Sequence, residues 1–198
     1  AKPNAQPLFT SQPTTLATVG TQYVYEPTAS DPEGQRLRFS LSRSPAGMTI
    51  DSNTGVVTVA GAINREVDGA TRSITVRATS VDGSHTDQTF SIAINDVDEF
   101  DVGSVTDTNA TSNNVNENAS VGTVVGISAS ASDTDSTNNT ITYSLFDNDG
   151  GRFTIDANTG VVTVAGAINR EVDGASRTIT VRATSSDGSY TDQNFSSA

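Results

Sequence analysis

The chain has 198 residues and a formal net charge of −12, with 23 acidic against 11 basic residues, which excludes an ordinary nucleic-acid-binding surface. It has no cysteine, so disulfides are excluded and stability must come from packing or from bound metal. No apolar run approaches the roughly 20 residues of a membrane-spanning helix.

An internal duplication sets the domain organisation. The eighteen residues NTGVVTVAGAINREVDGA begin at Asn53 and again at Asn158. When residues 51–91 are paired with residues 156–196, 35 of the 41 pairs are identical. This period is too long for a solenoid unit of roughly 20–50 residues, but it suits a small domain of roughly 100 residues. Two homologous domains are therefore expected, rather than one large sandwich.

Short alternating runs follow one another along the first copy. In chain order they are TQYVYEPTA, RLRFSLS, GMTI, GVVTVA, RSITVRATS and TDQTFSIAI. Within one of them, Ile74, Val76 and Ala78 fall on a single face, as a half-buried strand requires. Turn-forming stretches such as DPEG and VDG separate the runs. About seven strands in roughly 100 residues, with no sustained helical period, predict an all-β Greek-key sandwich.

A polar, acidic stretch over 95–119 separates this copy from the next. The second copy then repeats the pattern with GTVVGISASAS, TITYSLF, RFTI, GVVTVA, RTITVRATS and YTDQNF. We therefore predict two tandem seven-stranded β-sandwiches. The expected boundaries are 1–95 for domain 1, 96–104 for an interdomain linker, and 105–198 for a domain 2 that is cut short at its C-terminal edge.

Carboxylates gather in the loops expected at this junction. Alternate loops of a sandwich emerge at the same end, so one acidic loop of domain 1 and two of domain 2 are expected to face the linker. The carboxylates concerned are Glu66, Asp96, Asp98, Glu99, Asp133, Asp135 and Asp187. Each could simply close a turn or keep the surface soluble. Together, without a counter-ion, they would repel one another strongly.

The chemistry of this set favours Ca²⁺. Calcium takes 6–8 oxygen ligands in flexible geometry, whereas Mg²⁺ prefers fewer protein ligands and more water. Zinc is disfavoured because the chain has no cysteine and a single histidine, His85.

The same motifs resemble, in order, those of tandem cadherin repeats of the bacterial extracellular kind. NREVDG resembles the LDRE motif, DVDEF the DxNDN linker, VNENASVGT the PEN opening, SDTD the DxD motif and SDG the later xDx motif. Two positions depart from the family: Thr15 stands where the second copy has Glu117, and Asn64 replaces an aspartate. The first copy also resembles dystroglycan-type cadherin-like and Ig-like modules.

The resemblance implies a specific ligand set. One ion would be shared by Glu66, the Val97 carbonyl, Glu99 and Asp135. A second would be held by Asp98, the Phe100 carbonyl, Asp133, Asp135, the Asn138 carbonyl and Asp187. Asn64 and Asp96 would lie beside them, and the departures imply two ions rather than the family's three. Less complete half-sites are expected at the outer ends, namely Asp31, Glu33 and Asp82 at one end and Glu117, Asn169 and Glu171 at the other.

The resemblance also implies a function. The expected protein is a non-catalytic, Ca²⁺-binding extracellular repeat, secreted or displayed on a bacterial cell surface. It would be rigidified at its junction and act as a stalk or adhesive segment of a large adhesin, for example in a biofilm. Its expected partners are neighbouring repeats of the same polypeptide, with surface carbohydrate or protein as further partners, and neither nucleic acid nor membrane.

Two other classes of function stay open. A carbohydrate-binding module attached to a polysaccharide-active protein would need exposed aromatic platforms, but the chain has no tryptophan. Tyr23, Tyr25, Tyr143 and Phe146 are expected in the core or within strands. An enzyme is disfavoured because the chain has no nucleophile elbow, no metal-hydrolase histidine pair and no phosphate loop. The pair Asp133 and Asp135 suits a cation better than glycoside hydrolysis.

Overall fold

The computed structural model describes residues 4–59 and 63–198. The chain separates into two compact units, Ala1–Val97 and Asp98–Ala198. The prediction of an all-β fold with two β-sandwich domains is confirmed. Ala60, at the end of the first GVVTVA run, lies outside the described residues. The boundaries 1–95, 96–104 and 105–198 stay a prediction.

The described residues of the first unit form nine strand segments and one helical turn. They are β1 (Leu8–Phe9), β2 (Leu16–Thr18), β3 (Val24–Tyr25), β4 (Ala29–Ser30), β5 (Leu37–Arg43), β6 (Met48–Ile50), β7 (Val57–Val59), α1 (Arg65–Asp68), β8 (Thr71–Ser80) and β9 (His85–Asn95). One sheet has the order β2-β9-β8-β5, a second β3-β7-β6, and β1 pairs with β4. Strand β2 runs parallel to β9, and the other pairs are antiparallel.

The run TQYVYEPTA forms two short strands rather than one. Pro27 lies between β3 and β4, and a proline has no N–H to donate to a sheet. Strand β3 accordingly pairs with β7, whereas β4 pairs with β1. The extra segments of the first unit thus come partly from this interruption.

The core of the first unit follows the predicted alternation. Ile74, Val76 and Ala78 of β8 are fully buried. Tyr25 is also buried, as expected, and its ring meets Phe90 edge to face at a centroid distance of 5.4 Å. Its hydroxyl is 2.7 Å from Oε1 of Gln88, so the polar end of the side chain is satisfied at the edge of the core.

The second unit has the seven strands that the sequence predicts and one helical turn. They are β10 (Thr106–Asp107), β11 (Val124–Ser130), β12 (Ile141–Asp147), β13 (Phe153–Ile155), β14 (Val161–Val164), α2 (Arg170–Asp173), β15 (Arg177–Ser185) and β16 (Tyr190–Ser197). A four-stranded sheet has the order β10-β11-β14-β13, and a three-stranded sheet has the order β12-β15-β16. All of these pairs are antiparallel.

The register of the central strands is repeated between the units. In the first unit the pairing of β5 with β8 slips by one residue after Leu41, and in the second unit β12 and β15 slip after Leu145. Ser42 and Phe146 therefore occupy the same place in the two units. Phe146 lies within a strand, as expected, but its ring is 67% exposed rather than part of the core.

Neither single-turn helix is anticipated by the sequence pattern, because four residues are too few to show a helical period. Among the described residues, neither α1 nor α2 has the length or apolar character of a transmembrane helix.

Candidate metal centre

Asp135 is the buried carboxylate around which the acidic loops of the second unit are organised. Only 2% of its surface is exposed, which is unusual for a charged side chain. Its Oδ2 accepts a hydrogen bond from the backbone N–H of Glu99 at 2.8 Å, and its Oδ1 accepts one from Thr137 at 3.1 Å. A carboxylate oxygen of Glu99 lies within 4.8 Å of one from Asp135. The two backbone hydrogen bonds fix the position of the Asp135 carboxylate in the unit.

Asp133 is held beside the carbonyl of Asn138. Its Oδ1 accepts from the N–H of Asp135 at 3.0 Å, and the hydroxyl of Ser185 is 2.5 Å from its Oδ2. The same hydroxyl is 2.9 Å from the carbonyl oxygen of Asn138. Asn138 has a φ of 54°, a left-handed conformation that asparagine tolerates better than most residues. The hydroxyl of Ser185 thus contacts both the Asp133 carboxylate and this carbonyl, whose role as a ligand stays a prediction.

Asp187 joins the same loops from the hairpin between β15 and β16. Its backbone N–H donates to the carbonyl oxygen of Asn138 at 3.1 Å. Its carboxylate accepts from the N–H of Ser189 at 2.5 Å and from the hydroxyl of Ser189 at 3.0 Å. That hydroxyl also accepts from the N–H of Val102 at 3.0 Å, which ties the start of the unit to this hairpin.

The arrangement of these acidic loops affects the pKa of Asp98. Its pKa is raised above the ordinary aspartate value, first by partial desolvation and then by the negative charges of neighbouring aspartates. In decreasing order, those neighbours are Asp187, Asp135, Asp133 and Asp101. The second unit alone therefore concentrates negative charge at one end, and a bound cation would relieve that repulsion.

The first unit contributes its own acidic pair. A carboxylate oxygen of Glu66 lies within 4.8 Å of one from Asp96. Glu66 belongs to α1, and Asp96 follows the last residue of β9. The guanidinium of Arg65 donates to the carbonyl oxygen of Ile94 at 2.7 Å, so α1 is tied to the end of β9. This contact explains why the two carboxylates meet.

Asn64 has a structural task that the resemblance does not imply. It is the N-cap of α1: its side chain accepts from the N–H of Val67 at 2.9 Å, and its own N–H donates to Asp68 at 2.9 Å. Asn169 caps α2 in the same way, with distances of 3.2 Å to Val172 and 2.9 Å to Asp173. A ligand role for Asn64 stays a prediction.

The residues predicted as the outer half-site of the first unit lie in the equivalent loops of that unit. The hydroxyl of Ser80 is 2.5 Å from Oδ2 of Asp31, and this bond is the main reason that the pKa of Asp31 is lowered. Asp82 accepts from the N–H of Ser84 at 2.8 Å. The negative charge of Asp82 acts on Asp31, whereas Glu33 accepts from the N–H of Ala5 at 3.3 Å.

The other half-site lies at the α2 end of the second unit. Oε2 of Glu117 accepts from the backbone N–H of Arg170 at 3.4 Å. Glu171 lies exposed in the first turn of α2, beside the N-cap Asn169. The structure thus brings Glu117 to the helical turn, while the role of all three as ligands stays a prediction.

Several residues of the centre are not found by the sequence reasoning. Ser185 and Ser189 hold Asp133 and Asp187, and Asp101 contributes to the electrostatics of Asp98. The duplication contains a usable signal for the two serines, since Ser80 and Ser84 occupy the matching places in the first copy and hold Asp31 and Asp82.

The donor set suits a hard cation. The second unit collects carboxylates and one backbone carbonyl, and oxygen donors of this kind are the ligands of Ca²⁺. Val97 and Phe100, whose carbonyls are implied as ligands, are 44% and 42% exposed. Their ligand roles stay predictions.

Comparison with known proteins bears on the fold. Residues 111–196 match the family model described as Cadherin domain, and residues 6–95 match the one described as Putative Ig domain. The fold of this chain is cadherin-like. Among curated proteins, none matches the sequence.

Solved structures show the same cadherin-like fold. Drosophila N-cadherin EC1-4 superposes with a TM-score of 0.72 at 19% identity, over 98% of this chain and 49% of that one. The Protocadherin GammaB4 extracellular domain gives 0.74 at 21% identity, over 96% and 31% of the two chains. Human Protocadherin-24 EC1-2 gives 0.68 at 22%, over 98% and 97%. The chain thus spans about half and about a third of the first two proteins.

Proposed function

We propose that the chain is a Ca²⁺-binding, cadherin-like extracellular repeat module. The observation that carries this proposal is the geometry of the acidic loops: the buried carboxylate of Asp135 accepts from Glu99, and the hydroxyl of Ser185 contacts both Asp133 and the Asn138 carbonyl. The raised pKa of Asp98, caused first by desolvation and then by neighbouring aspartates, agrees with this crowding of negative charge. Such a concentration of carboxylates costs free energy unless a cation neutralises it. The cadherin-like fold and its extracellular occurrence in the Protocadherin GammaB4 structure support the same function.

The proposed ligands follow the sequence prediction. Asp98, Asp133, Asp135, Asp187 and the carbonyls of Asn138 and Phe100 hold one ion. Glu66, Glu99, Asp135 and the Val97 carbonyl hold a second, with Asp96 beside it. Chain connectivity supports sharing between the units, because Asp96 is only two residues from Asp98 and Glu66 lies beside Asp96.

The proposed role of the ions is mechanical. Without Ca²⁺ the acidic linker repels itself and flexes, and with Ca²⁺ ligands from both units fix their relative orientation. Such a module acts as a non-catalytic stalk or adhesive segment of a large bacterial surface adhesin, in series with neighbouring repeats. The family match and the fold support the adhesive class, and the duplicated sequence supports the serial arrangement.

Isothermal titration calorimetry tests the proposal directly. We expect saturable binding of about two Ca²⁺ ions by the wild-type chain, and small-angle scattering should show a stiffer, more extended particle in Ca²⁺ than in chelator. Asp133→Asn with Asp135→Asn should remove most of the binding, since both belong to the proposed set. Glu26→Gln, which neutralises an exposed carboxylate elsewhere, is the matched control. Binding that is unchanged in the double variant would contradict the proposed ligands.

A further inference from the structure

An aromatic surface lies on the outer face of the sheet β12-β15-β16. Phe146 is 67% exposed and Tyr190 is 59% exposed. The guanidinium carbon of Arg182 is 4.6 Å from the centroid of Phe146 and 4.0 Å from that of Tyr190. The three side chains come from three neighbouring strands and form one contiguous patch, unlike exposed apolar residues scattered singly, which need no explanation.

The centre of this patch is held in place and has no net charge. Arg182 donates two hydrogen bonds to the carboxylate of Asp192, at 2.8 and 2.9 Å. This bidentate ion pair fixes the guanidinium against the rings. Because a positioned surface loses little conformational entropy on binding, the patch is suited to a ligand that makes few contacts.

The surroundings of the rings are polar. The outer faces of the three strands carry hydroxyl and amide side chains, namely Thr142, Ser144, Thr180, Thr184 and Asn194. A protein partner would require a larger apolar centre within its interface. A sugar instead presents C–H groups, which are attracted to the negative face of an aromatic ring, and hydroxyls that bond to polar neighbours.

We propose that this face of the second unit binds a neutral polysaccharide. Sugar rings stack on the faces of Phe146 and Tyr190 that Arg182 does not cover, and sugar hydroxyls bond to the Arg182–Asp192 pair. The charges of the patch and of the whole chain favour a ligand without charge. The patch itself is balanced, whereas the whole chain carries −12 and repels uronic acid or sulfated polymers. The surface uses none of the proposed Ca²⁺ ligands, so its binding should not depend on the ion.

The first unit supplies an internal reference for this surface. It keeps the ion pair, since Arg77 donates to Asp87 at 2.7 and 2.9 Å. In place of the two rings it has Ser42 and His85. The fold therefore tolerates those residues at these positions, and the ion pair does not require the rings. Only the second unit is expected to bind.

Affinity electrophoresis of the full chain tests the proposal, with soluble mannan, xylan, laminarin and hydroxyethyl cellulose in the gel and with alginate as an acidic comparison. Wild type should be retarded by at least one neutral polymer, equally in Ca²⁺ and in chelator. The double variant Phe146→Ser with Tyr190→His should lose at least tenfold in affinity while its thermal midpoint stays close to that of wild type. Val172→Ser, which removes an apolar residue that is 81% exposed elsewhere, should bind normally.

A gain-of-function variant makes the test reciprocal. Ser42→Phe with His85→Tyr places the same pair of rings around Arg77 and should increase retardation in the same gel. Retardation by alginate alone, by no neutral polymer, or equally in the wild type and the ring-deleted variant would overturn the proposal.

Discussion

At the scale of single residues, the acidic end of the second unit combines neutral donors with mutually repelling charges. Ser185 and Ser189 satisfy oxygens of Asp133 and Asp187, and backbone N–H groups satisfy Asp135. The pKa of Asp98 is raised, first by desolvation and then by the negative charges of neighbouring aspartates. Negative charge is therefore crowded at this end of the unit, which costs free energy in the absence of a counter-ion.

The free-energy cost of this crowded negative charge can be measured at Asp98. Because its pKa is raised in the folded protein, its negative charge destabilises the folded state at neutral pH, and stability is regained as the pH falls through the raised value. Asp98→Asn should therefore raise the thermal midpoint at pH 7 in chelator. In the presence of Ca²⁺ the same variant should bind the ion about tenfold more weakly, because a charged ligand is lost. Differential scanning calorimetry and calcium titration provide the two readouts.

The two effects of Asp98→Asn have opposite signs, which separates them from general damage to the fold. Glu26→Gln provides the control, since its exposed carboxylate should change neither quantity. A lower midpoint of Asp98→Asn in chelator would contradict the electrostatic account.

The fold requires a glycine at position 160. Its φ is +70°, and a Cβ built on it would lie 2.2 Å from the carbonyl oxygen of Ala129, a backbone atom. Gly160→Ala should destabilise the protein by about 3 kcal/mol or more, because left-handed strain and a backbone clash add together. Gly174→Ala has a φ of +87° but no atom within 4 Å, so about 1–2 kcal/mol is expected. Urea unfolding measures both; equal losses would show that the clash relaxes at little cost.

At the scale of elements, the sequence NREVDG folds twice into the same capped helical turn. In α1 the side chain of Asn64 accepts from the N–H of Val67, and the carboxylate of Asp68 accepts from the N–H of Asn64. In α2, Asn169 and Asp173 accept from the equivalent N–H groups. A single turn is too short to be stable by itself, so its shape comes from the caps and from anchoring to neighbouring strands. Asp173 of α2 forms an ion pair at 2.6 Å with Arg152, which directly precedes β13. This ion pair ties the helical turn to the start of that strand.

Substitutions of Asn64 separate its cap from its proposed metal role. Asn64→Ala should destabilise the fold by about 1 kcal/mol, because the N–H of Val67 loses its acceptor. Asn64→Asp keeps a capping oxygen and adds charge, so stability should change little while Ca²⁺ affinity rises if the residue is a ligand. Chemical unfolding and calorimetric titration measure the two effects, and Asn169→Ala repeats the cap test in the second unit.

If Asn64→Asp leaves Ca²⁺ binding unchanged, Asn64 acts only as a cap. The remaining proposed ligands would then account for the ions without it.

At the scale of the whole molecule, the two units share one fold but differ in the side chains that they expose. Both have a central β-sheet with the same register slip and the same arginine–aspartate pair. Only the second exposes Phe146 and Tyr190 around its pair. The duplicated cores keep the same strand pairing, while a few substitutions give the two units different exposed side chains.

Calcium should stabilise the whole chain by mass action. A ligand that binds only the folded state at 100 times its dissociation constant contributes about 2.7 kcal/mol per site. We expect the thermal midpoint to rise with Ca²⁺ concentration and to fall back when chelator is added. The variant with Asp133→Asn and Asp135→Asn should show little of this rise. A midpoint that does not respond to Ca²⁺ in the wild type would argue against the proposed centre.

The sequence by itself determined the class of the fold, and it predicted which acidic residues form the candidate metal site. Alternation along β8, turn residues between the runs and the long internal repeat predicted tandem sandwiches, because strand periodicity and turn chemistry are local properties. The motif order also identified Asp133, Asp135, Asn138 and Asp187, which the structure brings together at one end of the second unit.

Only the tertiary structure decided how those groups are held and what the sheet faces display. The bonds from Ser185 and Ser189, the capping task of Asn64 and the split at Pro27 depend on partners distant in the chain or on local geometry that composition does not reveal. Phe146 was expected within a strand, but strand register, not residue type, determines whether such a ring faces the core or the solvent. For that reason the aromatic surface became visible only once the strands were paired.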